Sequence, residues 1–101
     1  MTDPLVLQGP EGSITIAPVA LARLVVRAAQ TVDGAIVRRP KRSVEVARGP
    51  TGAVVTLGLS VRFGARIPDV ALGVQERVAQ AVAATSGLAV ERVDVRVKEV
   101  A

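Results

Sequence analysis

The stretch that decides the fold begins Val54-Val-Thr-Leu-Gly-Leu-Ser-Val-Arg-Phe63 and runs on to Val100. Val55, Leu57, Leu59, Val61 and Phe63 alternate with Thr56, Gly58, Ser60 and Arg62, which gives a pleated strand one fully apolar face. Ile67, Val70, Ala71, Val74, Val78, Ala81 and Val82 then recur at helical spacing. Val93, Val95 and Val97 alternate with Asp94, Arg96 and Lys98 in a second strand. The apolar strand face must be covered, and the helix between the two strands is positioned to cover it.

The joints extend this pattern in both directions. Pro68 suits a first helical position, Asp69 complements the helix dipole in the first turn, and the helix is expected to run to about Thr85, with Gly87 as a left-handed cap. Upstream, Ser43 to Ala47 reads as a strand with Val44 and Val46 inward. The turn Arg48-Gly-Pro-Thr-Gly52 joins it to the strand from Val54 to Phe63 as an antiparallel hairpin. Pro18 opens an earlier helix that should reach about Val32 and stop at Asp33-Gly34. Ser13 to Ile16 is a short strand, and Leu5 to Leu7 can add a little pairing. Ala35 to Pro40 is a connection, because Arg38, Arg39 and Pro40 fit poorly inside a sheet.

The expected fold class is therefore α+β: a β-α-β-β-α-β two-layer sandwich, with a three- to four-stranded sheet and two helices packed on one face. Residues 1–12 read as a flexible N-terminal lead and residues 13–101 as a single domain.

Composition narrows the chemistry. The 101 residues contain no cysteine and no histidine, which removes thiolate chemistry, the commonest metal ligand and the commonest general base. The acids are scattered, and Asp69 and Glu76, which share a helix face, lie about 10 Å apart. The expectation is a non-enzyme with no cofactor and no metal. Tyr and Trp are absent and Phe63 is the one aromatic, so base stacking has little to work with. No apolar run approaches the roughly 20 residues of a membrane-spanning helix, and the first residues lack the features of a secretory signal. A cytoplasmic location is expected.

Two features allow a functional reading beside a plain one. In the first helix the polar residues Arg23, Arg27, Gln30 and Thr31 form a narrow stripe, which leaves more apolar surface than one sheet needs. Leu21, Val25 and Val26 are either core or an exposed patch for self-association. Arg38, Arg39, Lys41, Arg42 and Arg48 place five positive charges in eleven residues, offset only by Glu45. They are either a solvated edge that discourages aggregation or a surface for an acidic protein partner, an anionic membrane or nucleic acid. Gly49-Pro-Thr-Gly52 matches a GxxG pattern, but it lies between strands and reads as a hairpin turn.

Taken in order, Gly12-Ser-Ile-Thr-Ile-Ala-Pro-Val19, Val32-Asp-Gly34, Val61-Arg-Phe-Gly-Ala-Arg-Ile-Pro-Asp-Val70, Val74-Gln-Glu-Arg-Val78 and Thr85-Ser-Gly-Leu-Ala-Val-Glu-Arg-Val-Asp-Val-Arg-Val97 resemble the alkaline shock protein family of bacterial envelope-stress proteins. Ala17 stands where the family often has Ser before Pro18, Asp94 where Asn is frequent, and Ser86 enlarges the Thr-Gly turn. The resemblance carries no catalytic residue. It implies a scaffold or interaction domain linked to envelope stress, one that assembles with its own copies as a homo-oligomer. It also implies recruitment to the membrane periphery by a membrane-anchored protein partner. The alternative is a small basic nucleic-acid-binding module, motivated by a pI of about 11 and an α+β layout shared with several RNA-binding folds.

Overall fold

The computed structural model describes residues 4–101. Its elements follow in the order β1 (Leu5–Gly9), β2 (Gly12–Ile16), α1 (Pro18–Gln30), β3 (Ala35–Ile36), α2 (Pro40–Ser43), β4 (Val44–Arg48), β5 (Ala53–Val61), α3 (Ile67–Ser86) and β6 (Val90–Val100). The class is α+β. The helices α1 and α3 pack on each other, and they cover one face of a sheet built from β3, β4, β5 and β6.

The spine of that sheet is β5. On one side β6 runs parallel to it, with α3 as the crossover between them. On the other side β3 and β4 lie end to end, both antiparallel to β5. Ala35 faces Val61 and Ile36 faces Ser60, then Val44 faces Leu57 and the ladder continues to Arg48 opposite Ala53. Val55, Leu57, Leu59 and Val61 point beneath the helices and are fully buried or nearly so. Val70, Val74, Val78 and Val82, spaced by four along α3, meet that surface and are equally inaccessible. Each such side chain contributes about 1.5–3 kcal/mol by leaving water.

Most joints are where the residues indicate. Gly87 caps α3 in the left-handed region at φ 76°. The turn at 49–52 closes an antiparallel hairpin, with the Gly49 amide donating to the Gly52 carbonyl at 2.7 Å. The Thr51 amide and hydroxyl each donate to Glu91 Oε1 at 3.0 Å, which ties this turn to the start of β6.

Two expectations change. The short strand from Gly12 to Ile16 does not join the main sheet. It pairs with Leu5–Gly9 in a separate two-stranded sheet, from Leu5 opposite Ile16 to Gly9 opposite Gly12. The fourth strand of the main sheet is instead Ala35–Ile36, within the segment read as a connection. β4 occupies the flank of β5 only as far as Leu57, so the Ser60–Val61 end is free for the chain that leaves α1. Gly34 makes that exit possible. Its φ of 90° favours glycine, and an added Cβ would stand 3.0 Å from Ala65 Cβ.

Phe63 is the second change. It lies beyond the end of β5, where the chain turns toward α3, and it is 82% exposed rather than part of the buried strand face. For α1, of the two readings open in the sequence, burial holds and the self-association patch does not. The apolar surface of this helix is wide because α3, β4 and α2 all pack against it, so Leu21 (2% exposed), Val25 (0%) and Val26 (9%) belong to the core and form no exposed patch.

Candidate interaction site

The basic segment is an excursion from the edge of the sheet. Ile36 is opposite Ser60 and Val44 is opposite Leu57, so residues 37–43 stand in for the two ladder positions that would face Leu59 and Gly58. So much chain cannot lie flat across that gap. It loops outward through α2, with Arg39 in the left-handed region at φ 51°. The Ser43 hydroxyl donates to the Arg38 carbonyl at 2.6 Å and to the Arg39 carbonyl at 3.1 Å, which closes the loop on itself. Strand register therefore determines that a cluster of cations projects at one point of the sheet edge.

The excursion forms a wall with a cavity on each side. Between α2 and α1 lies an open groove of ≈ 1380 Å³. Its floor is apolar, made by Val19, Ala20, Leu24, Val26 and Pro40, and Val19 is 55% exposed although it sits on a helix. Its rim carries Arg23, Arg27, Arg39, Lys41 and Arg42, with no acidic residue in the lining. On the other side, a smaller depression of ≈ 610 Å³ lies over Gly58, Leu59 and Ser60, and is bounded by Arg38, Arg39, Arg42, Ser43, Lys98 and Glu99. Arg39 and Arg42 border both cavities, Arg38 only the depression and Lys41 only the groove.

Arg48 is separate from this group. It sits at the far end of β4, about 13 Å along the strand from Val44. Its guanidinium donates to the Val6 carbonyl at 3.4 Å and so ties the β1–β2 hairpin to the main sheet. Of the three apolar candidates on α1, Val26 reaches the groove floor, whereas Leu21 and Val25 line neither cavity.

Several residues of these cavities are not evident from local sequence. Arg23 and Arg27 are visible as a polar stripe, but that they face the α2 cations depends on how α1 packs. Lys98 and Glu99 join the cluster because the register of β5 and β6 shifts between Leu59 and Ser60. The one local hint is Gly58, since a glycine inside an apolar strand marks a close approach. An added Cβ there would collide with Lys98 Cε, so the glycine lets the lysine chain lie across the sheet.

Two carboxylates, the exposed Asp33 and the partly buried Glu91, are held below their ordinary range. Asp33 is lowered first by its hydrogen bond from Arg62 and then by that residue's charge. Glu91 is lowered chiefly by the Thr51 amide and next by the Thr51 hydroxyl. Both stitch elements together at a distance from the cavities. Among the described residues no group of His, Cys, Asp or Glu could hold a metal ion, and no helix is long and apolar enough to cross a membrane.

No curated protein and no solved structure matches the chain. A family model does match, over residues 37–101, which is more than half of the chain. The match takes in α2, β4, β5, α3 and β6, and thus the excursion and the depression, while the hairpin, α1 and β3 precede it. The chain belongs to the alkaline shock protein 23 family, which has a cell envelope-related function.

Proposed function

We propose that this chain is a non-enzymatic interaction domain of the cell envelope that docks an acidic, amphipathic segment of a membrane-anchored protein in the groove between α1 and α2. The observation that carries this reading is the lining of the groove, an apolar floor with five cations on its rim and no acid. An amphipathic helix or extended peptide buries its apolar face in such a groove, and its acidic flanks meet the rim. The partner supplies the attachment to the membrane, and the domain works on the cytoplasmic side.

In the same reading the domain also self-associates, through the apolar end where β5 leads into α3. Phe63, Ile67 and Val100 are exposed there, and the Phe63 amide donates to the Ala101 carbonyl at 2.6 Å, which brings the two chain segments together. An exposed aromatic of this kind is a common anchor of protein interfaces.

A titration with a labelled Glu- and Leu-rich amphipathic peptide tests the groove. Binding should weaken with salt and disappear in an Arg23→Glu/Arg27→Glu variant. Equal binding by that variant, or preference for single-stranded RNA over the peptide, would remove the reading.

A further inference from the structure

We propose that the depression over Gly58 is a second binding site, for a small ligand bearing a phosphate-class oxyanion with two or more negative charges. Two irregularities of the sheet meet at this point of β5. On one flank the excursion at residues 37–43 brings Arg38, Arg39 and Arg42. On the other the register shift between Leu59 and Ser60 leaves Lys98 as an extra residue in β6, opposite no residue of β5. Bulges of this kind re-aim side chains, and they concentrate beside functional sites.

Gly58 completes the arrangement. Its lack of a side chain opens the floor and lets the Lys98 chain cross it. Four cations then surround a floor of backbone, with Glu99 as the single acid.

Glu99 marks where an anion sits. Its Oε1 lies 3.5 Å from Arg38 Nε and accepts from the Ser60 hydroxyl at 3.4 Å, so a carboxylate of the chain itself occupies the place of the ligand's oxyanion. Its side chain is about half exposed and near the end of β6, so it can swing outward when a more highly charged anion arrives. A phosphate ester offers three acceptor oxygens where Glu99 offers two, and forked guanidinium groups recognise that geometry well. With no aromatic at the site, recognition rests on charge and hydrogen bonds, not on stacking. Arg39 and Arg42 also border the groove, whereas Arg38, Gly58, Lys98 and Glu99 do not. The two sites can therefore fail separately.

The test is an amide-shift titration of the whole chain with inorganic phosphate and with pyrophosphate at low salt, together with flotation on phosphatidic acid vesicles against phosphatidylcholine vesicles. Saturable shifts centred on Gly58 and Ser60 are expected. Arg38→Ala and Lys98→Ala should each weaken binding about tenfold, as loss of one charged hydrogen bond does. Glu99→Gln should tighten it about threefold, and Arg23→Ala, which touches only the groove, should leave it unchanged. Binding to the soluble anions identifies a free phosphorylated ligand, and binding confined to phosphatidic acid vesicles and lost in Lys98→Ala identifies a lipid headgroup. No saturation up to about 10 mM phosphate or pyrophosphate and no vesicle binding would overturn the proposal, as would undiminished affinity in both Arg38→Ala and Lys98→Ala.

Discussion

Arg62 grips Asp33 with both arms of its guanidinium, Nη1 to Oδ1 at 3.0 Å and Nη2 to Oδ2 at 3.2 Å. The Arg62 amide also donates to the Gly34 carbonyl at 2.8 Å, so the end of α1 and the end of β5 are fastened twice. The Val32-Asp-Gly and Val61-Arg-Phe-Gly segments are thus two halves of one joint. With its folded pKa held below the ordinary value of 3.8, Asp33 stabilises the fold above that pH, and the contribution fades as pH falls through the lowered value. Urea unfolding at pH 7 and pH 3 should show a smaller acid loss in Asp33→Asn than in the unaltered chain. Identical losses would mean that the pair contributes nothing. Both partners are largely exposed, so the difference should be small and shrink with salt.

The start of α1 lacks a side-chain cap. Ala17 has the extended backbone of an N-cap residue, at φ −65° and ψ 140°, yet no side-chain oxygen accepts from the first turn. Ala17→Ser should therefore stabilise the protein by about 1 kcal/mol and raise the melting temperature by about 4–8 °C. Thermal unfolding followed by circular dichroism measures this. An unchanged or lower midpoint would show that the amides of the first turn are already satisfied in solution.

Leu21 and Phe63 should behave in opposite ways. Leu21 is sealed in the core, so Leu21→Glu buries an unpaired charge and should cost more than about 3 kcal/mol, a large part of the stability of a domain this size. Phe63 is exposed, so Phe63→Ser should leave stability within about 0.5 kcal/mol. If the Phe63 end mediates self-association, the same substitution lowers the mass seen by light scattering at high concentration. A folded, stable Leu21→Glu protein would contradict the packing of α1.

How far the sequence could be read depends on whether each signal is local. The period of 3.6 in α3 and of 2 in β4, β5 and β6 is carried by consecutive residues, so these elements, their caps and the hairpin turn are legible. A two-residue strand such as Ala35–Ile36 carries no period at all, and its pairing follows from where β4 stops along β5. Phe63 keeps the alternation but not the strand, because a count of apolar residues does not register where the chain turns away. The charge of Arg38, Arg39, Lys41 and Arg42 is plain in the sequence. That Arg38, Arg39 and Arg42 meet Lys98 across Gly58, and that Arg39, Lys41 and Arg42 meet Arg23 and Arg27 across the groove, depends on sheet register and helix packing. Arg48 shows the converse, since proximity in sequence groups it with residues from which β4 separates it.

If the groove between α1 and α2 receives an acidic segment of an envelope protein, a photoreactive amino acid placed at Val19, on the exposed floor, will capture that segment when the native cell is irradiated. The expected result is an adduct with a membrane-anchored protein, mapped by mass spectrometry to an acidic amphipathic segment and abolished by Arg23→Glu/Arg27→Glu. An adduct with nucleic acid, or one that persists unchanged after the charge reversal, would contradict this docking.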